Sequence, residues 1–142
     1  MALTRAQAEF VLMRRLSGIY GEAGLATTEA GTNEDLNEPL RVALDALGYS
    51  VADVTSVADT DLDDLPSSKY NQFFDLAELR ALENVEGQLT LVTTKTGPFE
   101  QRFSDLLNHV REVREERQAK YEKQYGGLRQ TATIKALDTT RD

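Results

Sequence analysis

The sequence predicts an all-α protein, a bundle of about four helices with a long C-terminal helix and an extended C-terminal tail. Apolar residues recur at helical spacing in four separate segments. Capping residues or a proline stand at the starts of these segments, and glycines stand where two of them end. We assign residues 1–125 to the helical domain and residues 126–142 to the tail.

The first helix is predicted at residues 4–16, where Thr4 can cap the N-terminus. The residues that recur at helical spacing in it are Ala8, Val11, Leu12 and Arg15. Residues 17–32 are rich in Gly, Ala and Thr and are predicted to form a loop. The glycines of this loop do not indicate a phosphate-binding loop, because no strand precedes them and no Lys-Ser/Thr pair follows.

The second helix is predicted to follow a cap at Thr32 or Asn33. Proline is tolerated only near the first turn, so Pro39 places the regular start at about Asn37. Gly48 can end the helix in a left-handed conformation. One apolar stripe runs along it: Leu36, Leu40, Ala43, Leu44 and Leu47.

The third helix is predicted to begin at a serine cap, Ser67 or Ser68, and to run to about Val85, with Gly87 ending it. A mixed segment and a short helical turn at residues 61–65 precede it, and Pro66 stops that turn. The core face of this helix is the densest apolar cluster in the chain: Tyr70, Phe73, Phe74, Ala77, Leu79, Ala81 and Leu82.

Residues 89–97 (LTLVTTKTG) leave three structures open: a strand, which their β-branched content favours, an irregular link, or a continuation of the third helix. Pro98 stands at a favoured first position of the fourth helix. Its apolar stripe is strong: Phe99, Phe103, Leu106, Leu107, Val110 and Val113.

Beyond Val113 the fourth helix is nearly all polar. Two opposite-charge pairs at i,i+4 spacing support it, Arg111–Glu115 and Glu116–Lys120. We expect the helix to continue to Gln124 as a solvated rod, about 40 Å long in total at roughly 1.5 Å per residue.

The composition of the chain argues against several classes of protein. The 142 residues suffice for one domain, and the absence of cysteine excludes disulfides and thiolate metal sites. No apolar run approaches the roughly 18 residues that span a bilayer, so we expect no membrane partner. Residues 1–97 hold 7 basic against 16 acidic residues, whereas residues 98–142 hold 9 against 8. This balance offers no basic patch for nucleic-acid recognition.

No catalytic, cofactor or metal motif is found in the sequence. Asp59, Asp61 and Asp63 alternate as in a calcium loop, but Asp64 and Tyr70 occupy the positions that require glycine and glutamate. His109, the single histidine, has no second ligand in a recognisable pattern. We therefore expect the chain not to be an enzyme.

The tail has a pattern of its own. TATIKAL alternates, with Ala132, Ile134 and Ala136 on one side, which suits addition of a strand to the sheet edge of another protein. A terminus without fixed structure is the alternative. Gly126 and Gly127 are predicted to form a hinge. The residues predicted to contact a partner are Tyr125, Leu128, Thr131, Thr133, Ile134 and Leu137.

Three stretches carry a resemblance to a known family: NEPLRVALDALGY (residues 37–49), FFDLAELRALENVEGQLTLV (residues 73–92) and GPFEQRFSDLLNHVREVREERQAKYEKQY (residues 97–125). In their order and patterning they resemble the head–tail connector, or head-completion adaptor, proteins of tailed double-stranded DNA bacteriophages. The resemblance covers residues 33–125 and lies in helix order, without an invariant catalytic motif.

The resemblance implies a structural virion protein that forms a homo-oligomeric ring, commonly a dodecamer, beneath the portal protein. Such a ring bridges the portal to the next neck or tail-completion protein and helps to retain the genome. DNA would pass through the lumen without sequence recognition, and an acidic wall suits this passage. The alternative function is a cytosolic helical regulatory or protein-binding module that dimerises through the fourth helix.

Overall fold

The structure is a computed structural model that describes residues 2–93 and 100–126. Within these ranges every regular element is a helix and no strand is present, which confirms the predicted fold class. The helices are α1 (Arg5–Glu22), α2 (Asn37–Ala46), α3 (Asp59–Leu62), α4 (Tyr70–Thr93) and α5 (Glu100–Tyr125). Short 3-10 turns, Glu34–Leu36 and Ser67–Lys69, precede α2 and α4.

Helix α1 begins as predicted but ends later. The Thr4 hydroxyl accepts a hydrogen bond from the Gln7 backbone N–H, and the Gln7 side chain accepts one from the Thr4 N–H, which completes a capping box. The predicted end at residue 16 is wrong, because α1 continues through Gly18 and Gly21 to Glu22. Each glycine costs about 1 kcal/mol in a helix, and burial of Ile19 and Tyr20 in the core offsets that cost.

Helix α4 also extends further than predicted. Gly87 does not end it, and residues 89–93 continue the helix, so the strand and the irregular link are excluded for these five residues. Residues 94–97 lie outside the described ranges. The reason for the extension is Leu89, which is buried against the core and carries the apolar face of α4 past Gly87.

Helix α4 is the centre of the bundle. Its most extensive contact is with α5, followed by α2 and α1. Most of its predicted core face is buried in one cluster, Phe73, Phe74, Ala77, Ala81 and Leu82. Tyr70 is half-buried against this cluster, whereas Leu79 is half-buried outside it.

The apolar stripe of α5 packs inside the bundle. Leu106, Leu107 and Val110 are buried and Val113 packs against them. Phe99 and the side chain of Phe103 lie outside what the structure describes. The helix reaches Tyr125, so the predicted extension to Gln124 is confirmed.

The polar half of α5 is not the solvated rod that the sequence suggested. Tyr121 is buried, and Arg114 and Arg117 form ion pairs with carboxylates of α4. Arg111 pairs with Glu86 of α4 instead of Glu115. The predicted Arg111–Glu115 pair failed because Glu86 of α4 lies within reach of Arg111. The predicted Glu116–Lys120 pair is also wrong, because Glu116 pairs with the adjacent Arg117.

The acidic segment before α4 stabilises the fold through hydrogen bonds to its carboxylates. Helix α3 spans Asp59–Leu62, not the predicted residues 61–65. Its Asp61 carboxylate accepts hydrogen bonds from the backbone N–H groups of Ala52 and Ala58, at 3.2 and 2.9 Å. The Asp59 Oδ1 atom accepts the Arg5 N–H at 2.7 Å, so this segment is tied to the start of α1.

A buried ion pair joins α1 to the loop that follows it. The Arg5 Nε atom donates to Glu9 Oε2 at 2.7 Å, and the Glu9 carboxylate also accepts the backbone N–H groups of Gly31 and Asn33. The Arg5 guanidinium donates further to the carbonyl oxygens of Asn33 and Val57. Every side-chain nitrogen and oxygen of the pair therefore forms a hydrogen bond, and those bonds hold Gly31, Asn33 and Val57 against α1.

A second ion pair, at the surface, joins α2 to α4 and makes stability depend on pH. Two nitrogens of Arg80 donate to the two oxygens of Glu38 at 2.6 and 2.9 Å, and these bonds lower the pKa of Glu38 from 4.5 to about 2. Because the pKa falls on folding, the pair stabilises the protein above pH 4.5 and loses this effect as the pH falls towards 2.

We expect Glu38→Gln to lower the free energy of unfolding by about 1 kcal/mol near pH 7, a figure reduced for solvent screening of a partly exposed pair. The difference from the unmodified chain should shrink between pH 4.5 and pH 2 and vanish below it. Urea unfolding at a series of pH values measures this. Glu112→Gln, at an exposed position of α5, is the matched control, and an equal pH dependence in both variants would contradict the prediction.

Candidate functional site

Helices α1, α4 and α5 enclose an open cleft of about 420 Å³ that is lined almost entirely by charged side chains. Helix α1 contributes two residues, α4 two and α5 three. The lining residues are Arg14, Arg15, Asp75, Glu78, Arg117, Lys120 and Tyr121. We call this group the charged cleft.

Helical spacing explains why each element presents its residues together. Asp75 and Glu78 are three positions apart on α4, and Arg117 and Lys120 are three apart on α5, so each pair lies on one helix face. Like charges at this spacing repel one another within a helix. Opposite charges on a neighbouring helix reduce this repulsion, and in the cleft the carboxylates of α4 lie close to the cations of α1 and α5.

Glu78 is the buried centre of the charged cleft. The residue is 3% exposed, and its two oxygens contact different helices: Oε1 lies 3.3 Å from Arg15 Nη1 of α1, and Oε2 lies 3.3 Å from Arg117 Nε of α5. Asp75 Oδ1 accepts from the same Arg15 Nη1 at 2.8 Å. A buried carboxylate between two guanidinium groups holds both of them in fixed positions.

Two further cations of the charged cleft have no carboxylate partner among the described residues. The Arg14 guanidinium lies over the ring of Phe10, 4.4 Å from the centroid. Lys120 is exposed on α5 and forms no ion pair within residues 2–93 and 100–126. With four cations and two carboxylates, the lining of the cleft carries an excess of two positive charges, in a chain whose net charge is −8.

The predicted partner residues begin at the edge of the charged cleft. The Tyr125 hydroxyl donates to Asp75 Oδ2 at 3.1 Å. The pKa of Tyr125 is raised mainly by partial burial and, to a smaller extent, by the negative charge of Asp75. Its ring packs on Tyr121 with centroids 4.7 Å apart. Gly126 has a positive φ of 81°, and its N–H donates to the Glu122 carbonyl at 2.8 Å.

The other predicted hinge and partner residues lie outside the described ranges: Gly127, Leu128, Thr131, Thr133, Ile134 and Leu137. Their contacts with a partner, and that of Tyr125, remain predictions. The structure does show that α5 is anchored to α4 at the point from which these residues depart.

Sequence patterns contain only an indirect signal of the charged cleft. No motif in the sequence assigns a chemical role to any residue of its lining. The like-charge pairs on α4 and α5 indicate that opposite charges from other helices can approach them, but not which helices supply those charges. Only the crossing of three helices identifies the partners, and helix crossings cannot be read from local patterns.

Within the described ranges, no group of three or more His, Asp or Glu side chains could hold a metal ion. His109 is exposed on α5. Among the same residues, every helix is too short or too polar to cross a bilayer.

Comparison with family models, curated proteins and solved structures gave no match to this chain. What the charged cleft can do is therefore inferred from its own geometry and charge.

Proposed function

We propose that this chain is a structural protein of a tailed-bacteriophage virion that forms a ring at the head–tail interface, beneath the portal. The observation that carries the proposal is the helix order. A short α2 is followed by Gly48 and Tyr49, a long α4 comes later, and α5 is the longest of the described helices. This is the order on which the resemblance to connector proteins is drawn, and it supports a bridging role between the portal and the next neck or tail-completion protein.

The anchored end of α5 supports a docking role for the tail. The Tyr125–Asp75 hydrogen bond and the contact between the tilted rings of Tyr121 and Tyr125 fix the point where the tail begins. An alternating segment that starts from a fixed point can add a strand to the sheet of the portal or of an adjacent copy. Many copies in one ring would then bind together, so modest affinity per tail suffices for stable docking.

The acidic character of the chain supports passage of DNA through the ring. A net charge of −8 repels a duplex and allows it to slide without being held. The proposed location is the head–tail connector of the virion, and assembly would take place in the host cytoplasm.

The proposal is tested by measuring the native mass of the purified chain, alone and mixed with the portal protein of the same phage. We expect ring-sized assemblies on the portal. Removing residues 127–142 should abolish docking and leave the helical bundle intact. This truncation retains Gly126, whose N–H bonds to Glu122, and the Tyr125–Asp75 bond, so the unfolding midpoint should not change.

Point variants make the same test more specific. Ile134→Asp places a charge in the proposed strand, whereas Val54→Asp places one at a position that is 70% exposed in the loop before α3. Docking should be lost only in the first variant. A mass that stops at a dimer with or without portal protein would instead support the regulatory or binding module.

A further inference from the structure

We propose that the charged cleft is a binding site for a small phosphate monoester, a function that does not depend on the proposed ring. Four cations from two helices line one cleft: Arg14 and Arg15 of α1, and Arg117 and Lys120 of α5. Within the lining, Asp75 and Glu78 neutralise half of this charge and leave an excess of two; Glu116, which lies outside the lining and is mostly exposed, also pairs with Arg117. The excess of two positive charges equals the charge of a phosphate monoester dianion.

The arginines of the charged cleft retain unused hydrogen-bond donors. Arg15 makes both of its described ion pairs through Nη1 alone. Arg117 uses Nε towards Glu78 and Nη1 towards Glu116. A guanidinium has five N–H donors, so within the described residues each of these side chains keeps N–H groups without an acceptor. Phosphate oxygens match such pairs of N–H groups in geometry.

Glu78 makes the site rigid. One carboxylate oxygen of Glu78 pairs with Arg15 and the other with Arg117. Both guanidinium groups are therefore already positioned, which lowers the entropy cost of ordering them when the ligand binds. Arg14 is held in a different way, through its stacking on Phe10. Glu78 and Phe10 are thus positioning residues, and the four cations are the groups that would contact the ligand.

Size and charge favour a small ligand over a nucleic acid. A volume of about 420 Å³ falls within the range of roughly 300–1,000 Å³ that is usual for small-molecule sites. The charged lining selects an ionised ligand over an apolar one. A DNA duplex would bring many further negative charges against a chain of net charge −8, which opposes its binding.

The experiment is calorimetric titration of the full chain with glycerol 3-phosphate at low ionic strength. The test variant is Arg14→Gln with Lys120→Gln, which removes the two cations that form no ion pair in the described residues. Lys69→Gln with Lys123→Gln is the matched control, because it removes equal charge outside the cleft. We expect the first variant to bind at least 10-fold more weakly than the unmodified chain, and the control to bind within about 2-fold of it.

Glu78→Gln distinguishes two effects of Glu78 on phosphate binding, its negative charge and its positioning of Arg15 and Arg117. The substitution makes the cleft more positive, which alone would strengthen binding of glycerol 3-phosphate, but it also weakens the contacts that position the two arginines. We expect weaker binding; tighter binding would overturn the positioning role.

No binding of glycerol 3-phosphate, or an equal loss in both double variants, would overturn the site. Binding of a short DNA duplex in the same cleft, tighter than glycerol 3-phosphate, would overturn the choice of ligand. Ring formation on the portal is measured separately, so failure of the phosphate site and failure of the proposed function are distinguishable.

Discussion

Replacing Glu9 by alanine is expected to lower the free energy of unfolding by about 3–5 kcal/mol, the usual cost of removing one partner of a buried ion pair. Glu9 is fully buried and Arg5 is 4% exposed. Without Glu9 the Arg5 charge remains buried without a carboxylate partner, and the N–H groups of Gly31 and Asn33 lose their acceptors. Urea unfolding followed by circular dichroism measures the loss.

The matched control is a surface pair with the same i,i+4 spacing. Arg41 and Asp45 pair at 3.2 Å on α2, with the Asp45 side chain half-exposed, so Asp45→Ala should cost less than about 1 kcal/mol. A double variant, Arg5→Met with Glu9→Met, should cost clearly less than the sum of the two single changes. A loss below about 1 kcal/mol for Glu9→Ala would show that the network does not hold the loop.

Val110→Asp should destabilise the chain by about 3–5 kcal/mol, because it places a carboxylate in the core and removes buried apolar surface. Val110 is fully buried in the middle of α5. His109→Asp is the control: the same residue is introduced on the same helix, one position earlier and on the exposed side. It should change stability by less than about 0.5 kcal/mol.

The pair of variants also distinguishes two roles for the stripe of α5. If the stripe packs inside one chain, the destabilisation by Val110→Asp is independent of protein concentration. If it forms a dimer interface, the variant would remain a folded monomer, and the unmodified chain would become more stable with concentration. The burial of Leu106, Leu107 and Val110 within the bundle predicts the first result.

Local patterns predicted the fold class and the long α5 because a 3.6-residue apolar period is a property of one segment alone. The ends of α1 and α4 were missed for the opposite reason. Gly18 and Gly87 favour a helix end locally, but Tyr20 and Leu89 find places in a core built by other segments. Tertiary burial therefore overrode helix propensity at both ends.

The charged cleft and the Arg5–Glu9 network were missed because both join residues that are distant in sequence. Arg15 and Glu78 are 63 positions apart, and Glu9 and Asn33 are 24 apart. The types of these residues indicate only that they carry charge or form hydrogen bonds. The pairing of these residues depends on how the helices cross, and the packing of their apolar faces determines that crossing.

Among the described residues, the ion pairs between α4 and α5 have one polarity, with carboxylates on α4 and guanidinium groups on α5. Glu78 meets Arg117, and Glu86 meets Arg111 and Arg114, so the two helices run in opposite directions. Apolar side chains tolerate a slip of one turn, about 5.4 Å, but such a slip would separate every one of these pairs. These ion pairs thus fix the register of α5 against α4, and with it the position of Tyr125 beside Asp75, where α5 ends.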